Sequence, residues 1–138
     1  MFIINCKNYD EISGEKIIKL AKISQRISKK YKIPIAIAPP HHLIPLIVNF
    51  NVIILAQHLD DKKVGGTTGY MIPEIVKKSK INGSLINHSE HRISEKEIKN
   101  LVKRLKRLRL KTVLCVKNVN ELKKYLKLNP TFIAIEPP

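Results

Sequence analysis

The feature that most constrains the fold of this chain is a repeated alternation of two kinds of segment. Short runs rich in Ile and Val recur along the sequence, and segments with helical periodicity separate them. Most of these runs are apolar throughout, without polar residues at every second position, which is typical of strands buried on both faces of a sheet. A strand followed by a helix, repeated in this way, predicts a parallel sheet with right-handed crossovers. The six runs are residues 2–4, 35–37, 52–55, 85–86, 112–114 and 132–135.

The intervening segments differ in how clearly they predict helices. In the fourth, Ser94 is followed three residues later by Glu97, the pattern of a capping box at the start of an amphipathic helix. The first is expected to open at Ser13. The second and third contain Pro45 and Pro73, so only one or two helical turns are expected in each.

The chain has 138 residues and no Gly/Ser-rich linker or low-complexity stretch, so we expect a single domain over residues 1–138. A doubly wound sheet and a (β/α)₈ barrel both fit the alternation. The polar residues that follow the strands must decide between them.

Composition excludes some classes of function and leaves others open. With 26 Lys+Arg against 11 Asp+Glu, the net charge is +15, which could attract nucleic acid, an acidic membrane face or anionic metabolites. Most of the lysines fall on polar helix faces, however, which favours a solvated surface. Aromatic residues make up only 5% and Trp is absent, which argues against a nucleic-acid-binding module.

The two cysteines, Cys6 and Cys115, lie in separate apolar runs and form no CxxC pair. Buried, reduced thiols are therefore expected. No stretch approaches the roughly 18 apolar residues of a membrane span, and the N-terminus does not read as a signal peptide. These features predict a cytoplasmic protein.

Polar residues collect where the predicted strands end. In a barrel, these ends and the loops after them form the active site. Each residue alone has an ordinary structural explanation: a surface lysine, a core histidine or an exposed carboxylate. Together, a lysine, a histidine and a glutamate could converge on one small site. The strand-end residues are Asn5, Lys7, Gln57, His88, Glu90 and Glu136, with a Gly-rich loop, GGTTG, at 65–69.

The order of these motifs resembles the triosephosphate isomerase family, and its archaeal form in particular. The matching segments are Asn5-x-Lys7, Gln57-His58 with the loop 65–69, Asn87-His88-Ser89-Glu90, and Ala134 to Pro138. Two positions depart from the family pattern: Cys6 replaces an aromatic residue and His91 replaces the first of two arginines. The resemblance favours the (β/α)₈ barrel over the doubly wound sheet.

The resemblance also implies a role for each residue. Glu136 would be the catalytic base that moves a proton between two carbons of a triose phosphate. His88 would polarise the carbonyl oxygen, its neutral form favoured by a helical turn after it. Lys7 would supply positive charge to the substrate, with Asn5 as a hydrogen-bond donor.

Supporting roles are implied for Glu90, which would pair with Lys7, and for Gln57 and Thr68. Thr68 lies in the loop that inserts into a neighbouring subunit in this family, so a homo-dimer or homo-tetramer is expected. The resemblance implies no metal and no cofactor.

A closed barrel has eight strands, and this sequence supplies six. We therefore expect a partial barrel, truncated after strand six, with Pro137 and Pro138 beginning the hinge of a lid. The 138-residue chain alone is expected to be inactive, and a complementary C-terminal half is a possible partner. The alternatives are part of another sugar-phosphate barrel enzyme, or a non-enzymatic basic binding module.

Overall fold

A computed structural model describes residues 1–136 as alternating strands and helices. Pro137 and Pro138, predicted to begin a lid hinge, lie outside the described residues. The strands are β1 (Phe2–Asn5), β2 (Ile35–Ala38), β3 (Ile53–Ala56), β4 (Gly83–Ile86), β5 (Lys111–Val116) and β6 (Phe132–Ile135). The α-helices are α1 (Lys16–Tyr31), α2 (Pro73–Lys78), α3 (Glu95–Arg107) and α4 (Val119–Leu126), and 3₁₀ helices span Asp10–Ile12 and His41–Leu46.

The six strands form one parallel sheet in sequential order, β1 to β6. This confirms the predicted β/α crossover topology. Because every strand runs in the same direction, all six carboxyl ends lie at one edge, and the loops that follow them are neighbours.

Apolar side chains cover both faces of the sheet. One face packs under the helices in the main core, which includes Ile37, Ile54 and Leu114. The other carries a second, smaller cluster of Ala36, Ala38, Leu55, Leu85 and Val113. Neighbouring residues of one strand thus point into different apolar layers, which explains why the strands read as continuous apolar runs.

The two outer strands are less covered than the inner ones. Residues of β2 and β4 are all buried, whereas Phe2 in β1 is 68% exposed and Ile135 in β6 is 46% exposed. Both edges of the sheet, as described for residues 1–136, thus present apolar side chains to solvent.

One close approach within the sheet requires a glycine. Gly83 in β4 pairs with Lys111 in β5. A Cβ at position 83 would lie 2.1 Å from the Lys111 carbonyl oxygen. Glycine therefore allows β4 and β5 to pack at this distance.

The helix predictions were correct in the second, third and fourth segments, and in the first only the predicted starting residue was wrong. The capping box is present, since the Ser94 side chain accepts from the Glu97 N–H and the Glu97 side chain accepts from the Ser94 N–H. The second and third segments hold only a short 3₁₀ helix containing Pro45 and the six-residue α2.

The first helix does not open at Ser13. It begins at Lys16, because the Ser13 N–H and hydroxyl both donate to the Asp10 carbonyl and close the preceding 3₁₀ turn. Across residues 1–136, none of the helices is long and apolar enough to cross a membrane.

Candidate active site

The site is built from loops that follow β1, β3, β4 and β6 at the carboxyl edge of the sheet. Asn5 is the last residue of β1, and Gln57 directly follows β3. His88 lies two residues beyond β4, and Glu136 directly follows β6. Residues far apart in the sequence are thereby brought to one place, as expected from the parallel topology.

His88 and Glu136 make the closest contact in this cluster. His88 Nε2 lies 2.9 Å from Glu136 Oε1, and the side chains are 12% and 29% exposed. The other carboxylate oxygen, Oε2, accepts the backbone N–H of Ser89 at 3.1 Å. The Glu136 carboxylate is thus oriented by one hydrogen bond, and its second oxygen faces the imidazole.

A backbone hydrogen bond determines which imidazole nitrogen carries the proton. The N–H of Glu90 donates to His88 Nδ1 at 3.2 Å. Because Nδ1 is an acceptor there, a neutral His88 must carry its hydrogen on Nε2. Nε2–H is then a donor pointing at the site.

The helical turn expected after His88 is only partly present. The chain turns at 89–91, where the His91 N–H donates to the His88 carbonyl, but α3 does not begin until Glu95. The single Glu90 N–H therefore contacts the imidazole directly, rather than the N-terminus of a regular helix.

Asn5 provides a second donor at the same point. Its Oδ1 accepts the Lys7 N–H at 3.1 Å, which leaves Nδ2 on the side facing His88. Asn5 Nδ2 lies 3.3 Å from His88 Nε2. Two N–H donors this close cannot satisfy each other, but one oxygen lying to the side, within hydrogen-bond distance of both, would accept from both.

Lys7 supplies the positive charge of the cluster. Its Nζ lies 2.8 Å from Glu90 Oε1, with both side chains partly exposed. The hydrogen bond to Glu90 raises the pKa of Lys7, and the hydrogen bond to Lys7 lowers the pKa of Glu90. Lys7 and Glu90 are therefore both charged at neutral pH. Lys7 also has a left-handed backbone, with φ of 49°.

The Gln57 side chain links the segment that follows β1 and the end of β2 through two hydrogen bonds to their backbone carbonyls. Its Nε2 donates to the carbonyl of Lys7 at 2.9 Å and to that of Ala38 at 3.1 Å. Thr68, expected to contact a neighbouring subunit, is exposed, and no hydrogen bond among residues 1–136 joins it to Asn5 or Lys7 of its own chain. A cleft of about 820 Å³ lies beside the cluster and is lined by Asn5, Lys7, His88 and Glu90, among others.

A histidine cluster next to the site was not anticipated from the sequence. The rings of His58 and His91 stack with centroids 3.8 Å apart, and His58 Nε2 lies 3.4 Å from Asp60 Oδ1. Burial lowers the pKa of His58 and of His41. His41, His58 and His91 all come after predicted strands, but the stacking of His58 on His91 depends on how two loops pack, which periodicity does not reveal.

Asn87 was named only as part of a motif, yet it organises the turn that carries His88. It has a left-handed backbone, with φ of 60°. Its side chain donates to the Cys115 carbonyl at 2.9 Å and accepts the Ile93 N–H at 3.2 Å.

Within residues 1–136, no group of three or more His, Cys, Asp or Glu side chains is suited to hold a metal ion.

A parallel β/α sheet with a cluster of polar side chains at its carboxyl edge is the arrangement of the β/α-barrel enzymes. Comparison with known proteins identifies the family. The chain belongs to the triosephosphate isomerase family, whose model, described as "Triosephosphate isomerase", matches residues 1–138.

Individual relatives agree with this assignment. The chain is 46% identical over 138 residues to a triosephosphate isomerase of Cenarchaeum symbiosum, covering 100% of this chain and 62% of that relative. It is 37% identical over 139 residues to one from Methanocaldococcus jannaschii, covering 100% of this chain and 64% of the relative. The chain thus spans less than two thirds of the length of these relatives.

A solved structure shows the same fold. A crystal structure of triosephosphate isomerase from Bartonella henselae matches with a TM-score of 0.73 and 22% identity. The match covers 99% of this chain and 66% of that one. The described sheet of six strands therefore corresponds to a partial barrel.

Proposed function

We propose that this chain carries the proton-transfer site of a triosephosphate isomerase, which interconverts dihydroxyacetone phosphate and glyceraldehyde 3-phosphate in glycolysis and gluconeogenesis. The observation that carries the proposal is the convergence of three groups. Glu136 Oε1 lies 2.9 Å from His88 Nε2, and Asn5 Nδ2 lies 3.3 Å from the same nitrogen. A carboxylate base thus stands beside two donors that could share one oxygen.

Glu136 is proposed as the general base. The Ser89 N–H holds Oε2, so Oε1 is the oxygen left to accept a proton. In the substrate complex, Oε1 would remove the proton alpha to the carbonyl and return it to the neighbouring carbon. A carbon acid is weak, so this transfer requires a positioned carboxylate and stabilisation of the enediolate that forms.

His88 and Asn5 are proposed to stabilise the developing oxyanion. With Nδ1 accepting the Glu90 N–H, the neutral imidazole presents Nε2–H to the substrate oxygen. The amide of Asn5 would donate to the same oxygen. His88 would then pass a proton between the two oxygens of the enediol, which requires a neutral imidazole as the donor.

Lys7 is proposed to contact the phosphate and to add positive charge near the oxyanion. Its ammonium pairs with Glu90 at 2.8 Å in the described chain. Because this pair is partly exposed, Lys7 could exchange Glu90 for a substrate phosphate at small cost. Glu90 and Gln57 would then act as supporting residues that hold Lys7 and its loop.

We propose that turnover also requires the part of the relatives that has no counterpart in these 138 residues. The chain spans 62% of the Cenarchaeum symbiosum relative. The outer strands β1 and β6 expose Phe2 and Ile135, apolar side chains that further strands would cover. The missing part would come from the same polypeptide or from a complementary one.

A chimera tests this proposal. We would join residues 1–136 to the remaining C-terminal part of the Cenarchaeum symbiosum relative and assay turnover of glyceraldehyde 3-phosphate. The chimera is expected to be active and the 138-residue chain alone to be inactive. Turnover by the 138-residue chain would contradict the need for the additional part. A chimera that melts cooperatively but shows no turnover would contradict the proposed activity.

The proposed partners follow from the family and from the loop geometry. The substrate would be a triose phosphate, and a second copy of the chain would contact Thr68 in the exposed loop 65–69. We also propose a cytoplasmic location, supported by two buried free cysteines, Cys6 and Cys115.

A further inference from the structure

The exposed loop between β3 and α2 has little structure of its own. Residues 62–70 are all exposed, and the segment contains no regular helix or strand. The hydrogen bond from the Thr67 N–H to the Gly65 carbonyl is local to the tip. Gly65 and Gly69 have positive φ, a backbone conformation that glycine adopts without steric cost. Order in this loop must therefore come from contacts at its two ends.

One clamp joins the ends to each other. The Asp60 N–H donates to the Met71 carbonyl at 2.9 Å, and the Met71 N–H donates to Asp60 Oδ2 at 2.7 Å. These two bonds close the loop at its neck, but they do not fix the loop to the rest of the protein.

Arg104, in α3, provides that attachment and reaches both ends of the loop. At the first end, its Nη1 donates to Asp61 Oδ1 and its Nη2 to the Lys62 carbonyl, both at 2.8 Å. Just beyond the second end, in the first turn of α2, its Nη2 and Nε donate to the two carboxylate oxygens of Glu74, at 2.5 and 3.3 Å. Arg104 and Asp61 are each only 17% exposed. Charge-assisted bonds in this partly buried setting are stronger than surface pairs.

The geometry requires an arginine. Four acceptor atoms, on Asp61, Lys62 and Glu74, receive hydrogen bonds from three nitrogens of one planar guanidinium, whose donors are fixed in a fork that the single ammonium of a lysine does not present. Asn100, one turn earlier in α3, donates to the remaining oxygen of Asp61 at 2.7 Å. The acidic groups at the loop ends are thus paired by α3.

Arg107 provides a contrast on the same helix. Its side chain is 72% exposed and reaches only Glu74, at 3.4 Å. An exposed single contact of this kind contributes little. Arg107 is therefore a matched control that carries the same charge on the same helix.

We propose that Arg104 is a positioning residue that fixes loop 62–72 against α3 by binding Asp61 and Lys62 where the loop begins and Glu74, in α2, just beyond where it ends. An ordered loop would hold Thr68 in place for contact with a second copy of the chain, and this consequence rests on the proposed function. The ordering of the loop itself does not. The proposal therefore makes a prediction that can be measured without any enzymatic activity.

The test is the backbone ¹⁵N order parameter of residues 62–70, measured by NMR relaxation in the wild type, Arg104→Gln, Arg104→Lys and the control Arg107→Gln. The wild type and the control are expected to give values near those of the helices, about 0.85. Both Arg104 variants are expected to fall below about 0.6 in this loop, with unchanged values in α3 and the sheet.

Loop order parameters that stay at the wild-type level in Arg104→Gln would overturn the proposal. Retained order in Arg104→Lys alone would overturn the requirement for a forked donor. Should Arg104→Gln fail to fold, Asp61→Asn serves instead, because it weakens the first end and leaves the Arg104–Glu74 pair in place. Unchanged loop order in that variant would likewise contradict the proposal.

Discussion

Replacing Gly83 with alanine should strongly destabilise the sheet that carries the site. The new Cβ would lie 2.1 Å from the Lys111 carbonyl oxygen and 2.7 Å from the Lys111 carbonyl carbon and Cβ, where ordinary contact begins near 3.4 Å. None of these atoms is the end of a flexible side chain. Strands β4 and β5 would therefore have to separate by more than about 1 Å at this point.

Two costs contribute to the expected effect. Overpacking costs about 1–3 kcal/mol, and weakening one or two ladder hydrogen bonds adds about 1 kcal/mol each. We expect Gly83→Ala to lower the free energy of unfolding by about 2–5 kcal/mol, a large share of the total stability of a domain. The melting temperature should fall by about 7–17 °C.

Urea unfolding followed by circular dichroism measures this change. Gly66→Ala is the matched control, because its added Cβ meets nothing within 4 Å. The control is expected to stay within about 1 kcal/mol of the wild type. A Gly83→Ala protein with a free energy of unfolding within about 1 kcal/mol of the wild type would refute the reasoning.

Two further predictions concern stability. Ser94→Ala removes the cap of α3 and should cost about 1 kcal/mol in urea unfolding, and an unchanged midpoint would show that the capping box contributes nothing. Burial lowers the pKa of His41 and His58 below 6.5, so the unfolded chain binds more protons than the folded one between the lowered values and 6.5. The free energy of unfolding should therefore fall as the pH is lowered through about 6.5. This dependence should flatten in the His41→Gln/His58→Gln double variant, and a wild type with no slope there would contradict it.

The fold was predictable because its signals are local. The continuous apolar strands follow from burial on both faces, and the capping box of Ser94 and Glu97 lies within four residues. The start of α1 was misplaced because serine is a favoured N-cap residue, whereas the Ser13 hydroxyl donates to the Asp10 carbonyl in the preceding turn. Sequence alone does not show with which of two adjacent turns a serine side chain forms its hydrogen bond.

The site was predictable only in part. Asn5 ends β1, and Lys7, His88 and Glu136 come after strands, so parallel topology places all four at one edge of the sheet. The tautomer of His88 depends on a single backbone N–H, that of Glu90, and no sequence pattern reports it.

Contacts between loops and helices were not predictable. The stacking of His58 on His91 depends on how two loops pack. Arg104 contacts residues 30 to 43 positions away, and α3 carries several basic residues of similar appearance in the sequence. Only the packed structure distinguishes the arginine that reaches two carboxylates from its exposed neighbours.

The central claim is that Glu136 transfers the proton, and exchange of substrate hydrogen with solvent tests it most directly. In ²H₂O, the chimera that completes the barrel should incorporate deuterium at the substrate carbon during turnover. Glu136→Gln should lower this exchange about 10²- to 10⁴-fold, the usual contribution of a positioned base, with little change in KM. Exchange within about tenfold of the unsubstituted chimera would contradict the account.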